Sequence, residues 1–121
     1  MIDLSTEYLG LKLANPLVPS ASPLSRDLDT ARRLEDAGAS ALVMYSLFEE
    51  AILASEEAAA RFFHEQAIGF GEADSFLPVP APDEYMSELD EYLEQLATLK
   101  RSLHIPVIAS LNGITPGGWL H

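Results

Sequence analysis

Two continuous apolar runs constrain the fold of this 121-residue chain more than any other feature of its sequence. They are residues 41–45 (ALVMY) and 105–111 (IPVIASL). Runs without polar alternation are typical of strands buried on both faces, which occur mainly in parallel sheets covered by helices. A third run at 17–21 (LVPSA) is similar, although its proline limits the hydrogen bonds that it can donate. Because helical patterns separate the runs, we predict an α/β fold with right-handed crossovers.

The N-terminal third of the chain adds a hairpin and a first helix to this prediction. Short alternating runs at 2–4 and 8–13 suggest a small hairpin. A helix follows the run at 17–21, with Ser25 or Asp27 as its cap and Gly38 at its end.

Two further helices are predicted, with a long loop between them. Ser46 and Glu49 have the spacing of a capping box, which predicts a second helix from that point to about Gln66. Residues 69–82 are rich in Gly and Pro and are expected to form a loop, and long loops inside a domain are usually functional or mobile. A stripe of leucines and tyrosine predicts a third helix over 83–103 that packs against the core.

The charge balance and the cysteine count exclude several classes of function. The chain has 7 basic and 19 acidic residues, so it lacks the basic surface that nucleic acids or anionic membranes require. The absence of cysteine excludes disulfide scaffolds, cysteine-bound metals and thiol catalysis. No run reaches the roughly 18 apolar residues of a membrane span. Because the N-terminus also lacks the basic segment of a signal peptide, we expect a soluble, cytoplasmic protein.

The acidic residues are concentrated in one part of the chain. Residues 49–94 contain thirteen acids and one base, Arg61, whereas the charges outside this stretch sum to zero. Such a stretch is usually a solvated face that keeps a protein in solution. The alternatives are a docking face for a basic partner protein and a carboxylate metal site, although the sequence has no calcium-loop motif.

Small polar residues stand at the end of each predicted strand. They are Ser20, Ser22, Ser46, Ser110 and Asn112. The carboxyl ends of parallel strands meet at one edge of a sheet, and ligands of such folds bind there. These residues therefore predict a small-molecule site at that edge.

The same segments carry a family resemblance. Residues 15–23 (NPLVPSASP), 37–46 (AGASALVMYS) and 105–113 (IPVIASLNG) resemble, in order and spacing, strand motifs of dihydroorotate dehydrogenases and of the related dihydropyrimidine dehydrogenase domain. Residues 8–13 (YLGLKL) are similar to the N-terminal hairpin of that family. The segments SASPLS, SLFEE and SLNGITPGGW resemble those of a dihydroorotate dehydrogenase-like subfamily.

The resemblance implies an FMN-containing (β/α)8 barrel, a fold that takes about 250 residues. Residues 1–121 would be the N-terminal part of a single barrel domain, namely the hairpin and the first three βα positions. In the family, the catalytic cysteine or serine and the strands that hold the flavin phosphate come later in the chain. We therefore expect the isolated chain not to turn over substrate, and we expect its partner to be the remainder of the barrel or a second copy.

The resemblance also implies which residues contact the flavin. They are Ser20, Ala21, Tyr45, Ser46, Ser110 and Asn112. Tyr45 stands where the family has a lysine, and a phenol cannot supply a fixed positive charge near neutral pH. In the substrate loop, Gln66 and Glu72 replace two orotate-binding asparagines, and Glu72 would repel the carboxylate of orotate. The implied reaction is hydride transfer from a dihydropyrimidine-like small molecule to FMN, and these replacements count against dihydroorotate itself.

A non-catalytic acidic binding module is the alternative to an oxidoreductase. Such a module would have lost the lysine and both asparagines, and self-association would complete its sheet. A weaker option is another barrel chemistry such as an aldolase, which the absence of a strand-end lysine disfavours. Flavin content separates the first two hypotheses.

Overall fold

The computed structural model of the chain describes residues 1–69, 87–117 and 119. Within these residues the protein is a mixed α/β structure with two small sheets and three α-helices. The elements are β1 (Thr6–Tyr8), β2 (Leu11–Leu13), a 3₁₀ helix (Pro23–Arg26), α1 (Leu28–Asp36), β3 (Leu42–Phe48), α2 (Glu49–Gly69), α3 (Glu88–Ser102) and β4 (Val107–Asn112). None of the helices in the described ranges is long and apolar enough to cross a membrane.

A hairpin forms near the N-terminus as predicted, but its strands differ from the expected ones, because its turn lies inside the predicted run 8–13. β1 pairs antiparallel with β2, with Thr6 opposite Leu13. Leu9 and Gly10 connect the two strands with φ values of 51° and 74°. A two-residue turn with positive φ at both positions matches the right-handed twist of the strands that it joins. The predicted run at 2–4 lies outside both strands.

The first helix begins where the sequence predicts. Asp27 is the N-cap of α1, because its carboxylate accepts hydrogen bonds from the hydroxyl of Thr30 at 2.7 Å and from its N–H at 2.8 Å. These two hydrogen bonds hold the pKa of the Asp27 carboxyl below its usual value, and the bond from the Thr30 hydroxyl has the larger effect. Gly38 lies just beyond the helix with a φ of 104°. Ser25, the other predicted cap, is fully buried inside the 3₁₀ helix.

The two long apolar runs form the parallel strand pair that the sequence predicts. In the pairing of β3 with β4, Val43 lies opposite Ile108 and Ser46 lies opposite Ser110. Between these two pairs β3 has one residue more than β4, which is a β-bulge. The bulge lies shortly before the serine at position 46 in β3.

The third run, at 17–21, is not a regular strand, contrary to the prediction. Its carbonyl groups nevertheless lie beside β3, because the oxygen of Leu17 accepts from the N–H of Ser40 at 3.0 Å and that of Pro19 accepts from the N–H of Val43 at 3.2 Å. Proline has no N–H, so this segment cannot complete a ladder. β3 therefore has β4 along one edge and the segment 17–19 along the other.

The predicted capping box at Ser46 and Glu49 is wrong. β3 continues to Phe48, and α2 begins at the next residue. The hydroxyl of Ser46 is hydrogen-bonded to that of Ser110 on the neighbouring strand at 2.8 Å, which keeps Ser46 in the sheet. Capping is a local preference, and tertiary contacts override such preferences.

An unpredicted capping box sets the start of α3. The hydroxyl of Ser87 accepts from the N–H of Asp90, and the carboxylate of Asp90 accepts from the N–H of Ser87, both at 3.2 Å. Ser87 is held in an extended conformation, so the helix begins at Glu88 rather than at residue 83. Residues 70–86, which include most of the predicted loop and the predicted first turn, lie outside the described residues.

The hydrophobic core lies between β3 and the helices α1 and α3. Its buried members are Ala31, Leu42, Met44, Leu47, Tyr92, Leu99 and Leu103. The predicted apolar stripe of α3 is therefore confirmed for three of its positions. The prediction that the run 105–111 is buried on both faces is wrong, because β4 is the last strand of the described sheet and its Leu111 is 52% exposed.

Candidate functional site

The sheet of β3 and β4 has two different faces. One face points into the core and carries Leu42, Met44 and Leu47 of β3, and we call it the helix face. The opposite face carries half-buried or exposed side chains, and we call it the open face; its members are Val43, Ser46, Phe48, Ile108, Ser110 and Asn112. Three of the six predicted FMN contacts lie on the open face.

Two of those contacts touch each other. The hydroxyl oxygens of Ser46 and Ser110 are 2.8 Å apart, and either one can be the donor. We call these two residues the serine pair. They lie two residues before the ends of β3 and β4, and both are half-buried. Because a hydroxyl has one proton and two acceptor lone pairs, the serine pair retains hydrogen-bonding capacity for a ligand.

Close to the bulge in β3, side-chain hydroxyls from two other elements are hydrogen-bonded to backbone groups of the strands. The hydroxyl of Ser25 accepts from the N–H of Tyr45 at 2.6 Å. The hydroxyl of Tyr92 accepts from the N–H of Ser110 at 3.0 Å and donates to its carbonyl at 3.3 Å. The backbone of both strands is therefore anchored to the 3₁₀ helix and α3 at this point.

Tyr45 packs towards the helices. Its ring makes an edge-to-face contact with Tyr92, with ring centres 5.0 Å apart and an interplanar angle of 77°. The guanidinium carbon of Arg26 lies 4.1 Å from the centre of the Tyr45 ring, which is a cation–π contact. Burial raises the pKa of the Tyr45 phenol above its usual value, and the charge of Arg26 partly offsets this effect. The phenol is therefore neutral at physiological pH.

A cleft of about 210 Å³ connects Tyr45 with the first of the two serines. Arg26 lines it from the 3₁₀ helix, and Glu88 and Glu91 line it from the start of α3. Arg26 is the one cation among these lining residues. The cleft therefore combines one positive and two negative charges beside Ser46.

The predicted contacts Ser20 and Ala21 are both exposed. Ser20 lines a second cleft, of about 380 Å³, between the N-terminal hairpin and Val43 of the open face. No hydrogen bond within the described ranges joins Ser20 to the serine pair. The structure thus joins Ser46 and Ser110 by a hydrogen bond, whereas Ser20 lies beside Val43 of the open face.

The remaining predicted residues stand at the edges of the site. Asn112 is exposed at the end of β4, opposite Phe48. The side chain of Gln66 and the whole of Glu72 lie outside the described residues. The substrate-loop prediction therefore stays a prediction.

Two buried or half-buried carboxylates hold the ends of β4, and sequence analysis missed both. The Glu49 carboxylate accepts from the N–H groups of Ile114 at 2.6 Å and Thr115 at 3.0 Å, and also from the Thr115 hydroxyl. These contacts lower the pKa of the Glu49 carboxyl below its usual value; the Thr115 hydroxyl has the largest effect, and the two N–H groups follow.

At the other end of the strand, the carboxylate of Glu35 accepts from the N–H groups of His104 at 2.6 Å and Ile105 at 3.0 Å. Neither arrangement has a local motif, because each joins residues far apart in the chain.

The open face can bind a ligand through hydroxyl and amide groups. None of its six residues carries a group that titrates near neutral pH, so this face can orient a ligand but cannot itself act as a general acid or base. The serine pair lies near the carboxyl ends of the two parallel strands, which is the usual ligand-binding position of such sheets. No protein-family model, curated protein or solved structure matches the chain.

Proposed function

We propose that this chain is the N-terminal part of a flavin-dependent oxidoreductase barrel that resembles dihydroorotate dehydrogenase and acts on a dihydropyrimidine-like small molecule. The observation that carries the proposal is the serine pair. Two hydroxyl groups from adjacent parallel strands meet at 2.8 Å near the carboxyl ends of those strands. In a (β/α)8 barrel this is the end at which the active site lies.

The order of the chain segments supports the barrel. The segment 17–19, β3 and β4 lie side by side in their chain order, as the first three strands of a barrel do. A helix follows the first segment, helices join the second to the third, and the hairpin precedes all of them. Sequential parallel neighbours joined through helices are the repeating unit of such barrels.

The residues of the open face fit one part of FMN. Small hydroxyl-bearing side chains leave room for a flat ring and can exchange hydrogen bonds with its polar edge. We propose that Ser46, Ser110 and Asn112 hold this edge, and that Ser20 and Ala21 approach from the neighbouring segment. The six residues of the open face include no cation, so the proposal assigns them no contact with the phosphate group.

Flavin, when bound, accepts or donates a hydride, and the residues of this chain bind and orient it. Tyr45 is neutral and cannot supply the positive charge of the family's lysine. Arg26 lies against the Tyr45 ring and lines the cleft that reaches Ser46. Because Glu88 and Glu91 line the same cleft, the charge of Arg26 is offset there, and we assign to Arg26 only its contact with the Tyr45 ring.

An acidic binding module is the second candidate, and the exposed surface of the helices favours it. Glu50, Glu56 and Glu57 are exposed on α2, and Glu88, Glu91 and Glu94 are exposed on α3. A surface of this charge would attract a basic partner protein. The same surface is compatible with a flavoprotein, so cofactor content has to decide between the two.

The deciding experiment is native mass spectrometry with visible absorption on the protein purified from the cells that make it. We expect a bound mass equal to FMN and the absorption of a flavin. A colourless protein that also fails to take up added FMN would overturn the proposal and favour the binding module. The double variant Ser46→Ala/Ser110→Ala should weaken FMN binding, and Ser102→Ala, which alters a serine at the end of α3, should not.

A further inference from the structure

The hydroxyl of Tyr92 connects α3 with the strand that carries one of the two serines. Tyr92 is 2% exposed, and its hydroxyl is hydrogen-bonded to both the N–H and the carbonyl of Ser110. Ser110 in turn contacts Ser46 through its own hydroxyl. We infer that Tyr92 is the positioning residue of the serine pair, which it holds in register from the core. This inference rests on the proposed function.

The bulge explains why a positioning residue is needed at this point. Two residues of β3 face one of β4 between the Val43–Ile108 pair and the Ser46–Ser110 pair. The ladder is locally disrupted at a bulge, so a contact from outside the sheet can help to fix the position of Ser110 at this point. The Tyr92 hydroxyl satisfies both polar groups of Ser110 at once, and it does so from a buried side chain.

The side chain of Tyr92 is itself held from several directions. Its ring belongs to the core cluster and meets the ring of Tyr45 edge to face. One turn further along α3, the amide of Gln95 donates to the carbonyls of Ser25 and Arg26, both at 3.0 Å. Ser25 accepts from the N–H of Tyr45, so α3 is connected to β3 through Ser25 and to β4 through Tyr92 itself.

The consequence for binding follows from the geometry of the serine pair. A ligand held by both hydroxyls binds only those molecules in which the two strands are in the correct register. Without the Tyr92 hydroxyl, the polar groups of Ser110 must find water or another partner, and part of the population leaves this register. The apparent dissociation constant rises in inverse proportion to the competent fraction, so a competent fraction of about one tenth gives about tenfold weaker binding.

The first test compares the FMN affinity of Tyr92→Phe with that of the unchanged full-length protein from its natural source. Phenylalanine keeps the ring contacts and removes only the hydroxyl. We expect FMN binding to weaken about tenfold. Ser87→Ala is the matched control, because it loosens the cap of the same helix and touches neither serine. If both variants weaken FMN binding equally, Tyr92 only stabilises the helix and the fold, and the inference is overturned.

The second test uses hydrogen exchange without flavin, so that it does not depend on the proposed function. In Tyr92→Phe the amide of Ser110 should exchange faster, while the amides of α1 should exchange as before. Tyr8→Phe, which removes an exposed hydroxyl from the hairpin, should change neither. An unchanged Ser110 amide would overturn the inference even if FMN binds. Accelerated exchange in a protein that never binds FMN would instead overturn the proposed function alone.

Discussion

The helix face and the open face belong to the same strands and have opposite characters. On the helix face, Met44 is completely buried. On the open face, Phe48 of the same strand is 45% exposed although it is a large apolar residue. The helix face therefore holds the fold together, whereas the open face contributes little to the core of the described residues.

The difference shows how one strand serves two purposes. Side chains alternate between the faces of a strand, and the bulge between Val43 and Ser46 changes which residues reach each face. Apolar burial is concentrated on the helix face, and hydroxyl groups are concentrated near the end of the open face. Substitutions on the two faces should therefore affect stability and binding separately.

The largest effect should come from Met44→Ala on the helix face. Removal of a fully buried methionine side chain leaves a cavity in the core cluster and should lower the free energy of unfolding by about 3 kcal/mol. Chemical denaturation followed by circular dichroism measures this loss. The matched variant on the open face is Phe48→Ala, for which we expect a loss of less than about 1 kcal/mol. Equal losses for the two variants would contradict the division into two faces.

Ser25→Ala should destabilise the protein by about 2 kcal/mol, because it leaves the N–H of Tyr45 without its partner at the bulge. Ser25 is fully buried, so water cannot easily replace the lost hydroxyl. Ser20→Ala is the control, since Ser20 is exposed, and it should change the stability by no more than about 0.5 kcal/mol. Similar effects in the two unfolding curves would show that the bulge does not depend on this hydroxyl.

The helix face was predictable from the sequence because its signals are local and repeated. The continuous apolar runs predicted β3 and β4, and the stripe of α3 predicted the buried positions at Tyr92 and Leu99. The cap at Asp27 was also predictable, since its partner is only three residues away. Such patterns reflect the periods of strands and helices themselves.

The site was predictable only in part, because its contacts join distant positions. Ser46 and Ser110 were expected at strand ends, but their mutual contact spans 64 residues and the capping motif at Ser46 pointed to a helix instead. The Glu49 contact with Ile114 spans 65 residues and has no local signature. The bulge arises from the register between two strands, and no pattern within either strand encodes it.

Acidification should remove the contribution that the Glu49 carboxylate makes to the stability of the protein. The pKa of Glu49 is lowered in the folded protein relative to its ordinary value of 4.5. Its contribution to stability is therefore complete above that value and is lost as the pH falls through the lower folded pKa. Glu49→Gln should abolish this part of the acid dependence in unfolding curves measured from neutral to acidic pH. Glu50→Gln, which removes the same charge from an exposed neighbour, should keep it.

If the acid dependence of Glu49→Gln equals that of the unchanged protein, the carboxylate does not hold residues 114–115 in solution. Hydrogen exchange at the amides of Ile114 and Thr115 reports this contact directly. Both amides should exchange faster in Glu49→Gln, because a neutral amide oxygen is a weaker acceptor than a carboxylate.

The smallest effect on stability should come from the serine pair. Ser46→Ala and Ser110→Ala should each cost about 0.5 kcal/mol, because the half-buried hydroxyls can exchange their mutual bond for bonds to water. The double variant should cost no more than either single variant if the shared bond is the main loss, and a double-mutant cycle from denaturation curves measures this coupling. Fully additive losses would mean that the hydroxyls act independently. Coupling with little loss of stability, together with weakened FMN binding, would show that the open face is maintained for a ligand rather than for the fold.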